Sequence, residues 1–63
     1  MRQLREYRAY WDDGHDRGEF TFYSEHRANS KANLEDARRY MLRTYGRHAR
    51  YREIKGTELC TYK

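Results

Sequence analysis

The stretch from Ser30 to Gly46, SKANLEDARRYMLRTYG, carries a helix signature at both ends, and the rest of the chain has to be arranged around it. Leu34, Ala37, Met41 and Tyr45 recur at three- and four-residue steps, which lays one apolar stripe along a helix. Ser30 suits the N-cap, because its hydroxyl can accept from an amide of the first turn that has no carbonyl partner. Asn33 is an alternative cap, so the start is open by one turn. Ala, Leu, Glu, Arg and Met fill the interior and are good helix formers. Gly46 can take the left-handed conformation that ends a helix. Glu35 and Asp36 lie early and Arg38, Arg39 and Arg43 late, which suits the macrodipole.

Ahead of this segment lie two alternating runs. In Leu4 to Trp11, Tyr7, Ala9 and Trp11 fall on one face while Glu6, Arg8 and Tyr10 fall on the other. In Glu19 to Glu25, Phe20 and Phe22 oppose Thr21 and Tyr23. Between them, Asp12 to Gly18 is rich in Asp and Gly, the residues of turns, so the two runs read as a β-hairpin. His26 to Asn29 links the hairpin to the helix, and Arg47 to Ala49 forms a short connection after it. Arg50 to about Lys55 reads as a third strand, with an extension toward Tyr62 left open. Gly56 breaks the alternation there, and Tyr51 and Ile54 are out of phase unless a bulge intervenes. The expected fold is α+β: ββαβ, a three-stranded antiparallel sheet in order 2-1-3 with one helix on one face. That order keeps the crossover right-handed. The expected core is Tyr7, Ala9, Trp11, Phe20, Phe22, Leu34, Ala37, Met41, Tyr45 and Ile54.

At 63 residues the chain is expected to form one small domain, 1–63. A domain of this size buries about 60% of the surface its unfolded chain exposes, which leaves little room for a deep substrate cavity. The 38% of charged residues alone would favour disorder, but ten aromatic side chains supply large apolar areas, so a folded domain with a thin aromatic core is expected. A single cysteine, Cys60, allows no internal disulfide. MRQLREYRAY does not resemble a signal peptide, and no stretch approaches the roughly 20 apolar residues of a membrane span. The expectation is a cytoplasmic protein with no membrane partner.

Charge is segregated along the chain. From Ala37 to Arg52 there are six arginines (Arg38, Arg39, Arg43, Arg47, Arg50 and Arg52) and no acid, whereas Asp12 to Asp36 holds seven acids against three basic residues. Guanidinium groups pair phosphates and carboxylates, and Tyr40 and Tyr51 lie among them, so this segment is a candidate basic surface. The plainer reading is a solvated helix face with Glu35 pairing Arg39. Tyr10 and Tyr23, on the sheet face away from the helix, join Tyr40 as candidate aromatic contacts on what reads as a basic, open face. Asp12, Asp13, His15 and Asp16 place four oxygen or nitrogen donors within five residues, but without a rigid converging frame they read as a polar hairpin tip. His26 and His48 could act as acid–base groups, since histidine as a residue type titrates near neutral pH, but no Gly-rich phosphate loop, GxSxG, HExxH or CxxC accompanies them. No catalytic residue, metal site or cofactor is expected.

The run Y-x-x-Y-W-D-D-G-H-D-R-G-E-F-x-F-Y-S-E-H-R-A-N-S, followed by N-L-E-D-A-R-R and Tyr45-Gly46, resembles small uncharacterised proteins of bacterial phages, prophages and mobile elements. In those, a hairpin leads through an A-x-S link, here Ala28 and Ser30, to a helix and a last strand. The resemblance implies a location in the bacterial host's cytoplasm and carries over no functional residue. The expected function is therefore a small non-enzymatic binding module acting on a macromolecule, a protein in preference to nucleic acid. The alternative is a nucleic-acid binder using the six arginines. A homodimer through a sheet edge is a further expectation, since a three-stranded sheet leaves two edges.

Overall fold

The computed structural model of the chain describes residues 3–60. Strand β1 (Arg5–Asp12) and strand β2 (Arg17–Ser24) form the hairpin, helix α1 (Lys31–Tyr45) follows, and a 3-10 helix (Arg47–Tyr51) leads into strand β3 (Glu53–Leu59). The sheet order is β2-β1-β3 with both pairings antiparallel. The helix packs on one face of it, against β2 and β3. This is the ββαβ arrangement expected from the alternating runs and the amphipathic segment.

Local chemistry explains where the boundaries differ from expectation. The hairpin ladder runs out to the Asp12–Arg17 pair, so the loop shrinks to residues 13–16. Asp12 Oδ1 accepts from the Gly14 amide at 2.7 Å, and Asp13 Oδ1 accepts from His15 and Asp16 at 2.8 and 2.7 Å. These side chains stand in for backbone partners at the tip. The third strand starts at Glu53 rather than Arg50. Arg50 and Tyr51 belong to the 3-10 helix, which forms around buried Ala49. Gly56 does not end the strand but pairs with Tyr10 inside it. The suspected bulge is present: Tyr10 pairs with Gly56 and Trp11 with Ile54, leaving Lys55 as the extra residue. It lets Ile54 and Thr57, three apart, share the helix-facing side. The suggested extension to Tyr62 lies outside the described residues.

Ser30 is the N-cap, accepting from the Asn33 amide at 3.2 Å, and Gly46 closes the helix at φ +90°, its amide donating to Leu42 O at 3.0 Å. The buried stripe is Asn33, Ala37 and Met41. Tyr7, Ala9, Phe20, Phe22 and Ala49 complete the core, with Trp11, Tyr40, Leu42 and Ile54 packed against it. Two expected core residues are corrected. Tyr45 is 39% exposed, touching Phe20 edge-on at 6.1 Å, and Leu34 is only half-buried. The helix is turned so that Tyr40, not Tyr45, stacks on Phe20, at 5.4 Å and 15° between planes.

The rotation follows from a residue first read as a cap. Asn33 is fully buried and bridges three segments. Its Oδ1 accepts from Thr57 Oγ1 at 2.6 Å, and its Nδ2 donates to His26 O at 3.0 Å. Thr57 Oγ1 in turn accepts from the Asn29 amide, and the Thr57 amide donates to Asn29 Oδ1, both at 2.8 Å. Asn29 sits at φ +63°, a left-handed conformation that asparagine tolerates better than most residues. A second clamp joins β2 to the helix: Ser24 Oγ donates to Asp36 Oδ2 at 2.7 Å and accepts from the His26 amide at 3.0 Å. Among the described residues no buried side-chain polar atom is left without a partner.

Asn33→Ala strips partners from the Thr57 hydroxyl and the His26 carbonyl. Each buried group so orphaned costs about 1–3 kcal/mol, and each kcal/mol lowers Tm by about 4–8 °C in a domain this small. Thermal melting followed by circular dichroism should show that drop, and Met41→Asp, which buries a charge, should unfold the chain. An unchanged melt for either variant contradicts the assigned helix face.

Candidate interaction surface

Each face of the sheet has its own charge character. On the face away from the helix, alternation and register bring together Glu6, Arg8 and Tyr10 of β1, Glu19, Thr21 and Tyr23 of β2 and Glu58 of β3. Arg8 stands between two carboxylates, 3.5 Å from Glu19 and 3.9 Å from Glu58, and the Tyr10 hydroxyl donates to Glu58. Arg17, Asp12 and Glu53 continue the same alternation, and carboxylates outnumber arginines on this face, which corrects the expectation of a basic one. Arg8, Tyr10, Glu19 and Glu58 are engaged with one another. Glu58 accepts the Tyr10 proton's hydrogen bond, and that contact pushes the Tyr10 phenol above its ordinary pKa. The bond to Tyr10 and the nearby Glu19 carboxylate likewise raise Arg8. At the hairpin tip, amide donation from Asp16 and then His15 holds Asp13 below the usual carboxylate range.

The six arginines do not form one continuous surface. Arg38, exposed, lies on the β3 side of the helix with Lys31, Leu34, Glu35, Glu53 and Ile54. Arg39 and Arg43 lie on the β2 side. Arg47 and Arg50 are exposed on the 3-10 helix, and Arg50 donates to the Tyr51 hydroxyl at 2.8 Å. Arg52 is half-buried: its guanidinium covers the Trp11 ring at 4.0 Å and reaches the Tyr45 ring at 5.3 Å. Trp11 needs Gly18 opposite it, because a Cβ there would come within 2.7 Å of the indole. Arg39 pairs with Asp36 at 3.8 Å rather than with Glu35.

What the fold does assemble is a groove of about 650 Å³ between α1 and the outer edge of β2. Tyr23 and Tyr40 line it with Arg39, Arg43, Asp36 and His26. Of the candidate aromatics, Tyr23 and Tyr40 both line this groove, Tyr40 half-buried on Phe20 and Tyr23, 64% exposed, reaching it from the acidic sheet face that also carries Tyr10. Among the described residues no strand covers the edge below the groove. The Cys60 amide donates to Glu6 O, which marks Glu6–Cys60 as a hydrogen-bonded pair of the β1–β3 ladder. Antiparallel alternation then turns the backbone groups of Tyr7 and Ala9 toward β2, and those of Glu19, Thr21 and Tyr23 outward from its free edge. On the other edge the same alternation turns Thr57 outward, and there Asn29 covers it. The sequence contained a signal for this: Asn33 lies four residues before Ala37 and eight before Met41, on the stripe that had to be buried.

The groups considered for chemistry do not converge. Asp12 and Asp13 are turned onto their own turn, and among the described residues no three His, Cys, Asp or Glu side chains are placed to hold a metal. His26 serves through its backbone amide and carbonyl. No helix among the described residues is long and apolar enough to cross a membrane. No protein-family model, no curated protein and no solved structure matches the chain.

The raised Tyr10 phenol makes a pH prediction. The neutral form is favoured by folding, so its contribution is fully present below the ordinary phenol pKa of about 10 and is lost as pH rises through the folded value. A ring-carbon NMR titration should find Tyr10 ionising above the ordinary phenol value, and Glu58→Ala should lower its midpoint. An unchanged midpoint in the variant contradicts the contact.

Proposed function

We propose that the chain is a small non-enzymatic interaction module that acts through a protein contact at the β2 edge. The observation that carries this reading is the row of outward backbone groups at Glu19, Thr21 and Tyr23, lying under a groove lined by Tyr23, Tyr40, Arg39 and Arg43. A strand edge recognises a polypeptide, because only a polypeptide can add a strand to it, while neighbouring side chains select the sequence. Tyrosine and arginine are the side chains that dominate such contacts. The phage or mobile-element setting is supported by the resemblance of the hairpin, link and helix. In that setting the partner is a host or phage macromolecule met in the bacterial cytoplasm.

Nucleic-acid binding is the second reading. It is favoured by exposed Arg38, Arg39 and Arg43 on the layer opposite the acidic sheet face, followed by exposed Arg47 and Arg50. Ionic strength separates the two, since phosphate contacts weaken steeply with salt.

Amide NMR spectra recorded with an extended peptide of alternating apolar and acidic residues, and with duplex and single-stranded oligonucleotides, at about 50 and 200 mM salt, decide between them. The protein-contact reading predicts peptide-induced shifts at Glu19, Thr21 and Tyr23. It also predicts loss of that binding, with an unchanged melt, in the Arg39→Glu/Arg43→Glu variant. Oligonucleotide binding that falls steeply with salt while the edge amides stay still would overturn it.

A further inference from the structure

We infer that the polypeptide occupying the β2 edge is a second copy of this chain, paired antiparallel about a two-fold axis at Thr21; this rests on the edge reading above. The charges along β2 match in one register. With Glu19, Thr21 and Tyr23 facing outward, an axis at Thr21 sets Thr21 against Thr21, Glu19 against Tyr23, and Arg17 against Glu25 just past the strand end. Every charged position then meets an opposite charge or a hydroxyl, the favourable cross-strand combinations. Moving the axis to Phe22 sets Glu19 against Glu25, and moving it to Glu19 sets that carboxylate on its own copy. An axis at Phe20 avoids a clash but leaves Arg17 facing Tyr23 with no ion pair. Of these four registers, the Thr21 one alone is both free of like-charge contacts and ion-paired.

The molecule has two sheet edges, and they are treated differently. Asn29 Oδ1 takes the outward Thr57 amide on β3, whereas among the described residues no strand covers β2. An engaged amide on β3 and an uncovered β2 favour a two-fold pair through β2 over a growing fibre.

Ser24 holds Asp36 near one end of β2, and Phe20 stacks Tyr40 further back along it, so α1 runs antiparallel to the strand. A two-fold axis reverses this direction across the seam. Asp36 of each copy is thereby brought toward the Arg43 end of the other helix, and the groove lined by Tyr23 and Tyr40 is covered. A thin core gains apolar burial in the process.

Light scattering after size exclusion, across a concentration series, tests the proposal. The chain should approach twice its 7.8 kDa mass as concentration rises. Thr21→Pro removes an outward amide without touching the β1–β2 ladder, and it should give a folded monomer. Arg17→Glu should weaken the dimer about tenfold, and Arg17→Glu/Glu25→Arg should restore it. The charge pair keeps the test valid if the proline variant fails to fold. A parent chain that stays monomeric up to its solubility limit overturns the proposal, as does an undiminished dimer in Thr21→Pro. Failure of the double exchange to restore association overturns the register. A monomer whose Glu19, Thr21 and Tyr23 amides still shift with added peptide removes the second copy as occupant and leaves the edge reading in place. Salt-sensitive oligonucleotide binding without edge shifts removes both.

Discussion

The 2.6 Å hydrogen bond from Thr57 Oγ1 to Asn33 Oδ1 is the contact on which the arrangement depends. It is buried, so neither group has water as an alternative, and leaving either unpaired costs more than the bond itself contributes. It sets the rotation of α1, because Asn33 must face β3. It fixes β3 as well: the bulge at Lys55 is what brings Thr57 and Ile54 to the same side. Through Asn29 and His26 the same network holds the linker against the sheet, and there it engages the outward amide of Thr57 on the β3 edge.

A small domain with 38% charged residues has to satisfy polar groups and bury apolar ones within a few layers of side chains. The chain separates these tasks. Phe20 is the centre of the apolar part, contacting Phe22, Tyr40 and Tyr45 within 5.4–6.1 Å. At one end, Arg52 closes the core by laying its guanidinium on Trp11, a position where a cation both shields apolar surface and keeps its charge near water. Ion pairs are confined to the surface, where each contributes little, so they organise the acidic sheet face more than they stabilise it. The consequence for function is that the arginines which looked equivalent in sequence are not equivalent in space. Arg52 belongs to the core margin, Arg38 to the β3 flank, and Arg39 and Arg43 to the groove.

Much of the fold was legible because it rests on periodicity. Two-residue alternation marked β1 and β2, the three- and four-residue steps marked α1, and Ser30 and Gly46 marked its ends. Strand order followed from connectivity. The remainder depended on contacts between segments distant in sequence. Asn33 looked like a cap because caps are local, whereas its partner Thr57 lies 24 residues away. Tyr45 and Tyr40 both fit an apolar stripe, and only the pull of Asn33 decided between them. The acidity of the open face could have been read from Glu6 and Glu19, but Glu58 joined them only once the bulge had set the phase of β3. Of the candidate contact residues, the pairing of Tyr23 with Tyr40, and of both with Arg39 and Arg43, was invisible until the helix was docked.

One polar network engages the outward Thr57 amide of β3, while among the described residues no strand covers β2. Hydrogen exchange of the backbone amides in the dilute chain measures this directly, since both sets of amides point outward and differ only in whether a partner covers them. Thr57 should exchange as slowly as the interior of the sheet, and Glu19, Thr21 and Tyr23 should exchange fast. Thr57 exchanging as rapidly as Thr21 would mean that Asn29 does not hold the edge, and the asymmetry on which the interaction surface rests would be lost.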